Sequence, residues 1–437
     1  MDVNSSLIST RARECYRFSS LCLLCILLSM VFNDLSTQNT LGTLGASPMW
    51  AVSIVIFVLI LTRSQFRLYL DKYSRYFLSF YIATFLISII QCIYYFFIKG
   101  EALNQYGVSV FNKHIFASSY YLFYFLVIYC SNFVMRTVSG SFLRKSIISI
   151  SVLLSCVIAI ESIAPELLSP FHLSMDGYIF GPRLRLLSPE PSIAAFTFNI
   201  FLLLAIMLSN LNPVRYLFWG LLLIGNILIG SKASLMLIMV SGILVFYFNM
   251  TLMQKLKSLI GLIPIIGLVI YIFIHNVMPA LIVDIDRYTS VSTRLITSLW
   301  ALCSLFYFPL GEGYGTYTVW FAQPLKMATN LANNLVSFPL NMSEINDMVS
   351  SGDYLSAKSG ILFSVIHSGF LAIIFYYIIF RNSFRDVQVI DISYYQKTLL
   401  RVVLWYSLLS ILLAVNMEVL YSFLLPFIVV NYLKSNS

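Results

Sequence analysis

Long apolar runs, separated by short charged stretches, recur along the whole chain and limit what it can fold into. A bilayer core about 30 Å thick needs about 20 apolar residues per spanning helix. Inside that core every backbone polar group must bond within the protein, which selects helices for runs of this kind. Only 10% of the 437 residues are charged and 59% are apolar, against about 25% and 45–50% in soluble domains. Such a chain is not an ordinary soluble protein, a disordered polymer or a DNA-binding domain. The expected fold class is all-α, a polytopic integral membrane protein forming a single membrane domain over 1–437.

Twelve spans are expected, near 17–33, 48–62, 76–98, 115–135, 146–161, 193–211, 216–230, 233–249, 258–276, 361–380, 398–416 and 418–433. The first follows Arg11, Arg13 and Arg17 and reads as an uncleaved helix, since no small-residue cleavage site follows it closely. Positive charge sets the orientation. With both termini in the cytoplasm, the inner loops take 18 of the 27 Lys and Arg, among them Lys72, Arg75, Arg136, Arg144, Lys145 and Lys434. Most acids then fall outside. The net charge of +9 thus reflects topology, and no nucleic-acid partner is expected. The seven cysteines lie mostly in or beside apolar segments and read as buried small hydrophobes, with no disulfide framework or zinc site.

Two outer loops are long, about 162–192 and 277–360. A loop of the second length should contain elements of its own and carry function. Within it, Val291 to Phe308 is apolar with a polar stripe: Arg294, Thr297, Ser298, Ala301 and Ser304. That pattern predicts an amphipathic helix lying at the outer membrane–water boundary.

The span centres hold few polar groups. Asn199, Asn226 and Gln91 read as interhelical hydrogen-bond partners rather than an ion path. Charges gather instead at the outer surface. Gly181 to Ser192 holds Arg183, Arg185 and Glu190 between prolines, just before the sixth span. Arg grips phosphate oxygens bidentately, whereas Glu190 at a helix start also suits a simple cap. Lys232 sits in the short turn Ser231–Ser234, as an interfacial anchor or a charge for a phosphate. A third group runs from Arg294 and Trp300 through Pro309 to Gly311-Glu312-Gly313-Tyr314-Gly315. Alternating glycines allow close backbone approach, but no GK[ST] ending supports a nucleotide loop. Asp284 and Asp286 read as solvated loop acids. His367, in the tenth span, is either a packed residue or a general base.

These residues together resemble the bacterial O-antigen polymerase (Wzy) family, within the O-antigen ligase/polymerase superfamily. The likeness lies in Arg183 with Glu190-Pro191-Ser192 before a span, in Ser231-Lys232 between two spans, and in Arg294, Trp300, Pro309 and the glycine run. The layout of about twelve spans and two large outer loops adds to it. Leu186 stands where Gly is common in the family, and Lys232 where Arg is usual.

The resemblance implies a fold like that of GT-C-type membrane glycosyltransferases. It implies a lipid-diphosphate-oligosaccharide-dependent glycosyltransferase in the bacterial inner membrane, working in lipopolysaccharide biosynthesis. The growing glycan on undecaprenyl diphosphate would pass to the non-reducing end of a new lipid-linked repeat unit at the periplasmic face. Arg183 and Arg294 would stabilise the leaving pyrophosphate, with Lys232 and Arg185 beside them and no metal or other cofactor. Glu190, or else His367, would take the acceptor proton. Glu312 and Tyr314 would bind substrate, Tyr314 by stacking on a sugar ring. Implied partners are the lipid-linked oligosaccharides, membrane lipids, a chain-length regulator and a flippase. Ligation of glycan to lipid A core remains an alternative. So does a lipid-linked oligosaccharide flippase, which would need cavity-lining charges and repeated halves.

Overall fold

The computed structural model describes residues 3–62, 70–99, 104–105, 108–173, 184–250, 289–336, 340–351, 355–416 and 420–436. The helices are α1 (Val3–Ser29), α2 (Gln38–Leu41), α3 (Met49–Thr62), α4 (Lys72–Lys99), α5 (Val110–Met135), α6 (Gly140–Ile163), α7 (Pro191–Leu208), α8 (Asn212–Ile229) and α9 (Lys232–Asn249). There follow α10 (Thr289–Tyr307), α11 (Tyr317–Trp320), α12 (Ala322–Leu335), α13 (Ser343–Ser351), α14 (Gly360–Ser368), α15 (Phe370–Val389), α16 (Tyr394–Leu413) and α17 (Leu425–Ser435). Two-residue strands, Asn104–Gln105 and Val108–Ser109, pair antiparallel between α4 and α5. The fold is all-α.

Among the described residues seven helices, α4 to α9 and α16, are long and apolar enough to cross a membrane. Cys15–Ser29 and Met49–Thr62 are shorter apolar helices. The protein is therefore a multi-pass membrane protein. These nine segments fall on nine of the expected spans. The expected span at 258–276 lies outside the described residues, as do Asp284 and Asp286.

Local chemistry explains several ends. The hydroxyl of Ser139 accepts the N–H of Phe142 and starts α6. Pro191 opens α7, where a missing N–H costs nothing and the fixed φ already suits a helix. Gly230 closes α8 in the left-handed region at φ 69°, its N–H reaching the carbonyls of Asn226 and Ile227. Ser393 and Gln396 form a reciprocal capping box at the start of α16.

The chain divides into two compact units. The first comprises Met1–Ile82, Ser118–Met239 and Phe375–Ser437. Its centre is α7, buried without a break from Ile193 to Met207 and packed by α6, α8 and α16. A helix apolar on every face needs this kind of enclosure. The second unit comprises Ala83–Ala117 and Val240–Ile374. Here α10 packs on α12, α13 and α14 around Trp300, Phe321, Phe363 and Ile366. The long segment expected as a loop at 277–360 thus carries its own helices and its own core.

The structure departs from the sequence reading in two places. The apolar run 361–380 is not one helix: it breaks at Gly369, between α14 and α15. Gly369 has φ +56°, and a Cβ there would lie 2.0 Å from the carbonyl oxygen of Pro309. The backbone of Pro309 sits where a continuing helix would need space. The second departure is the polar stripe of α10. Thr297, Ala301 and Ser304 are buried inside the unit, not turned to water, while Leu302 and Phe306 on the same helix are exposed. Polar partners within the unit take up hydroxyls along this helix. Ser304 donates to Glu312, Thr293 to Glu344 at 2.7 Å, and Ser292 accepts the N–H of Asn341 at 3.1 Å.

Candidate functional site

One end of the first unit gathers charged groups from several elements. Three contacts fix which end. The carboxylate of Glu161, in the last turn of α6, accepts the N–H groups of Arg185 and Leu186, each at 2.7 Å. The N–H of Asn33, just beyond α1, donates to the carbonyl of Leu187 at 2.9 Å. Glu190 then sits at the N-cap position of α7. The helices α7 and α8 pack together and are joined only by residues 209–211, so they run antiparallel, with Asn199 at the middle of α7 meeting Asn226 near the end of α8. The turn before Lys232 therefore lies at the same end as Glu190. The opposite end is marked by Met207, whose carbonyl accepts from Gln396 at the start of α16 at 3.2 Å.

The 184–188 segment is held by an unusual device. Leu186 has φ 54°, in the left-handed region, and is the non-glycine residue with positive φ among the described residues. That conformation costs a residue with a Cβ about 1–2 kcal/mol. Two hydrogen bonds to a charged acceptor, each contributing about 1.5–3 kcal/mol, offset it. The Leu186 side chain is also buried, at 1% exposure. A glycine would meet this φ without strain; here Glu161 and burial hold a leucine in that shape.

Within this end, Arg185 is buried and Glu190 is exposed. Glu190 occupies the cap position, yet its side chain does not cap; it accepts instead from the hydroxyl of Ser192 at 3.2 Å. Its carboxylate is therefore presented outward. Lys232 is exposed at the first turn of α9. Arg183 lies outside the described residues.

The second unit brings together Glu312, Tyr314 and His367. The N–H of Glu312 donates to the carbonyl of Ile366 at 2.7 Å, and that of Gly313 to His367 at 3.1 Å. Gly311 and Gly313 have φ +92° and +85°, and a Cβ on Gly311 would lie 2.3 Å from the carbonyl oxygen of His367. The glycine run is thus a backbone interlock between the loop and the end of α14. The His367 ring is packed by Phe363, Tyr317 and Tyr314, at centroid distances of 4.2, 5.1 and 5.4 Å. Tyr314 hydrogen-bonds Thr84 through its hydroxyl. Its N–H donates to the Ser88 hydroxyl at 2.6 Å, which stands 3.0 Å from Nδ1 of His114.

Glu312, Tyr314 and His367 are each buried to 1% exposure or less. Burial pushes the Glu312 carboxyl up to about 8, although the hydrogen bond from Ser304 pulls the other way. The Trp300 indole N–H beside the carboxyl pulls in the same direction as Ser304. Burial thus favours the protonated acid. Arg294 is half-buried near the start of α10. It lies ten residues before Ser304, about 15 Å along the helix, so Arg294 and the Glu312 cluster sit towards opposite ends of α10.

Sequence reasoning missed Glu161, His114 and Ser88. Glu161 had a usable signal, a lone acid closing an otherwise apolar span. His114 and Ser88 had none, because one histidine at the edge of a span and one serine within another are ordinary.

No protein-family profile matches the chain. The chain is 25% identical over 370 residues, 80% of its own length and 79% of the relative's, to an "Uncharacterized 49.5 kDa protein in cps region" of Klebsiella pneumoniae.

Proposed function

We propose that this protein polymerises surface polysaccharide. It transfers a growing glycan from undecaprenyl diphosphate to the non-reducing end of a new lipid-linked repeat unit, at the periplasmic face of the inner membrane, as in the O-antigen polymerase family. The observation that carries this reading is the braced end of the first unit. There an outward carboxylate, Glu190, follows a segment clamped by Glu161 and shares its end with Lys232. The similarity to a cps-region protein supports a polysaccharide setting.

Chemistry at that end would proceed as follows. The anomeric carbon gains oxocarbenium character as its bond to phosphate breaks. Charge grows on the departing pyrophosphate. Fixed cations at that point stabilise the transition state more than the ground state, and Arg183, Arg185 and Lys232 supply them. Glu190 takes the proton of the acceptor hydroxyl. Its exposure favours it over His367, which three aromatic rings enclose. Arg294 is the remaining cation that the family resemblance singles out, while the buried Glu312 and Tyr314 suit a positioning role.

The test is gene deletion with complementation by wild type, Arg183→Ala, Glu190→Ala, Lys232→Ala and Arg294→Ala. Membrane levels of each variant are checked and surface polysaccharide is run on a gel. The expected result is a deletion strain with a single repeat unit and a ladder restored by wild type. Loss of a central cation lowers the rate about 10²–10³-fold. A deletion strain with no repeat unit at all would overturn polymerisation, leaving ligation or flipping. A full ladder from well-expressed variants would overturn the residue assignment.

A further inference from the structure

At the end of the first unit opposite Glu190, a cavity of about 300 Å³ opens between the starts of α4 and the ends of α5, α15 and α17. Four cations line it: Lys72, Arg75, Arg136 and Lys434. Two carboxylates lie among them, and both are engaged by the protein itself. Asp386 is 3% exposed. It accepts from Lys434 at 2.7 Å, from Lys72 at 3.3 Å and from the Tyr73 hydroxyl at 3.1 Å. Asp71 caps α4, accepting the N–H groups of Tyr73 at 2.8 Å and Ser74 at 3.1 Å. The lining therefore keeps an excess of positive charge.

A second observation is independent of charge. Asn132 also lines the cavity and is 4% exposed. Neither its amide nitrogen nor its oxygen has a hydrogen-bond partner among the described residues. A buried amide is costly to leave unsatisfied. A ligand oxygen in the cavity would accept from its Nδ2, and the guanidinium groups of Arg75 and Arg136 lie on the same lining, a group suited to phosphate oxygens.

We propose that this cavity binds a phosphate-bearing anion, the headgroup of an anionic membrane phospholipid. Soluble phosphate offers the same oxygens. The lipid is favoured by position: the cavity lies at the ends of membrane-crossing helices α4 and α5, where basic pockets meet headgroups. The site is independent of the glycan reading above.

The test uses the full chain in nanodiscs of phosphatidylcholine with or without phosphatidylglycerol, read by native mass spectrometry of retained lipid and by thermal unfolding. Wild type should retain phosphatidylglycerol and unfold at a higher temperature in its presence. Arg75→Gln/Arg136→Gln should bind it roughly 30-fold more weakly, from about 1 kcal/mol per cation. Arg144→Gln/Lys145→Gln removes two charges from the same end but away from the cavity, and should bind as wild type does. Equal loss in both double variants would overturn the site in favour of general surface charge. Equal behaviour in the two lipid compositions would overturn it outright. Stabilisation by inorganic phosphate in phosphatidylcholine discs, with no added effect of phosphatidylglycerol, would overturn the lipid assignment.

Discussion

Asn199 of α7 and Asn226 of α8 exchange amide hydrogen bonds, each Nδ2 donating to the other's Oδ1, at 3.0 and 2.6 Å. The same Asn199 Nδ2 lies 2.7 Å from the hydroxyl of Ser234 and 2.9 Å from that of Tyr406, sharing its two N–H groups among the three oxygens. Four helices, α7, α8, α9 and α16, are thereby tied at one point in an apolar surrounding. Asn199→Leu should leave the amide of Asn226 short of a partner and lower stability by about 1–2 kcal/mol. Thermal unfolding in a fixed detergent measures this. An unchanged midpoint would show that the network is replaceable by packing alone.

Glu161→Gln keeps the size of the side chain but offers one oxygen where two backbone N–H groups arrive. Its amide nitrogen would face a donor. The variant should lose about 2 kcal/mol and shorten the polysaccharide ladder at normal membrane levels. A wild-type ladder would show that the 184–188 conformation does not need the clamp.

Glu312 gives a pH dependence with a definite sign. Its carboxyl titrates near 8 when folded, because of burial, against an ordinary value of 4.5. The folded state therefore holds a proton that the unfolded chain has released. Its stability contribution is full below about pH 4.5 and is lost as pH rises through about 8. Wild type should unfold at progressively lower temperature across that window, and Glu312→Gln should flatten this dependence. Parallel curves for the two proteins would mean that Glu312 is already charged in the fold.

Gly369→Ala and Gly220→Ala form a matched pair. A Cβ at Gly369 meets the Pro309 carbonyl at a positive φ, whereas one at Gly220, on α8, meets nothing within 4 Å. The first should destabilise by about 2 kcal/mol or more. The second should be neutral or stabilising by up to about 1 kcal/mol, as in any helix interior. Comparable losses at both positions would remove the interlock as the explanation.

Much of the architecture was legible because periodic burial leaves a mark on composition. The helices α7, α8 and α9 begin and end within four residues of their expected spans, and Asn199 and Asn226 are the interhelical partners their isolation suggested. The break at Gly369 was not legible. Hydropathy is a property of side chains, and 361–380 is apolar throughout, while the break is made by a backbone contact with Pro309, sixty residues earlier in the chain. The glycine run 311–315 showed its need for close approach but not what approaches. At the candidate site, Arg185 and Glu190 stood out by charge. Glu161, which shapes the segment between α6 and α7, did not, because its partners are backbone N–H groups that no sequence displays.

The joint between α14 and α15 also governs how the protein can be cut and fused. Two donors that complete the end of α14, the N–H groups of Glu312 and Gly313, come from the turn that follows α10; Pro309 in turn accepts from the N–H of Phe370. Donor and acceptor are some fifty-five residues apart in sequence but one piece in space. A reporter fused anywhere between Phe308 and His367 separates them, so the location it reports belongs to a fragment lacking its other half. Topology mapping of this segment calls for tags inserted into the intact chain.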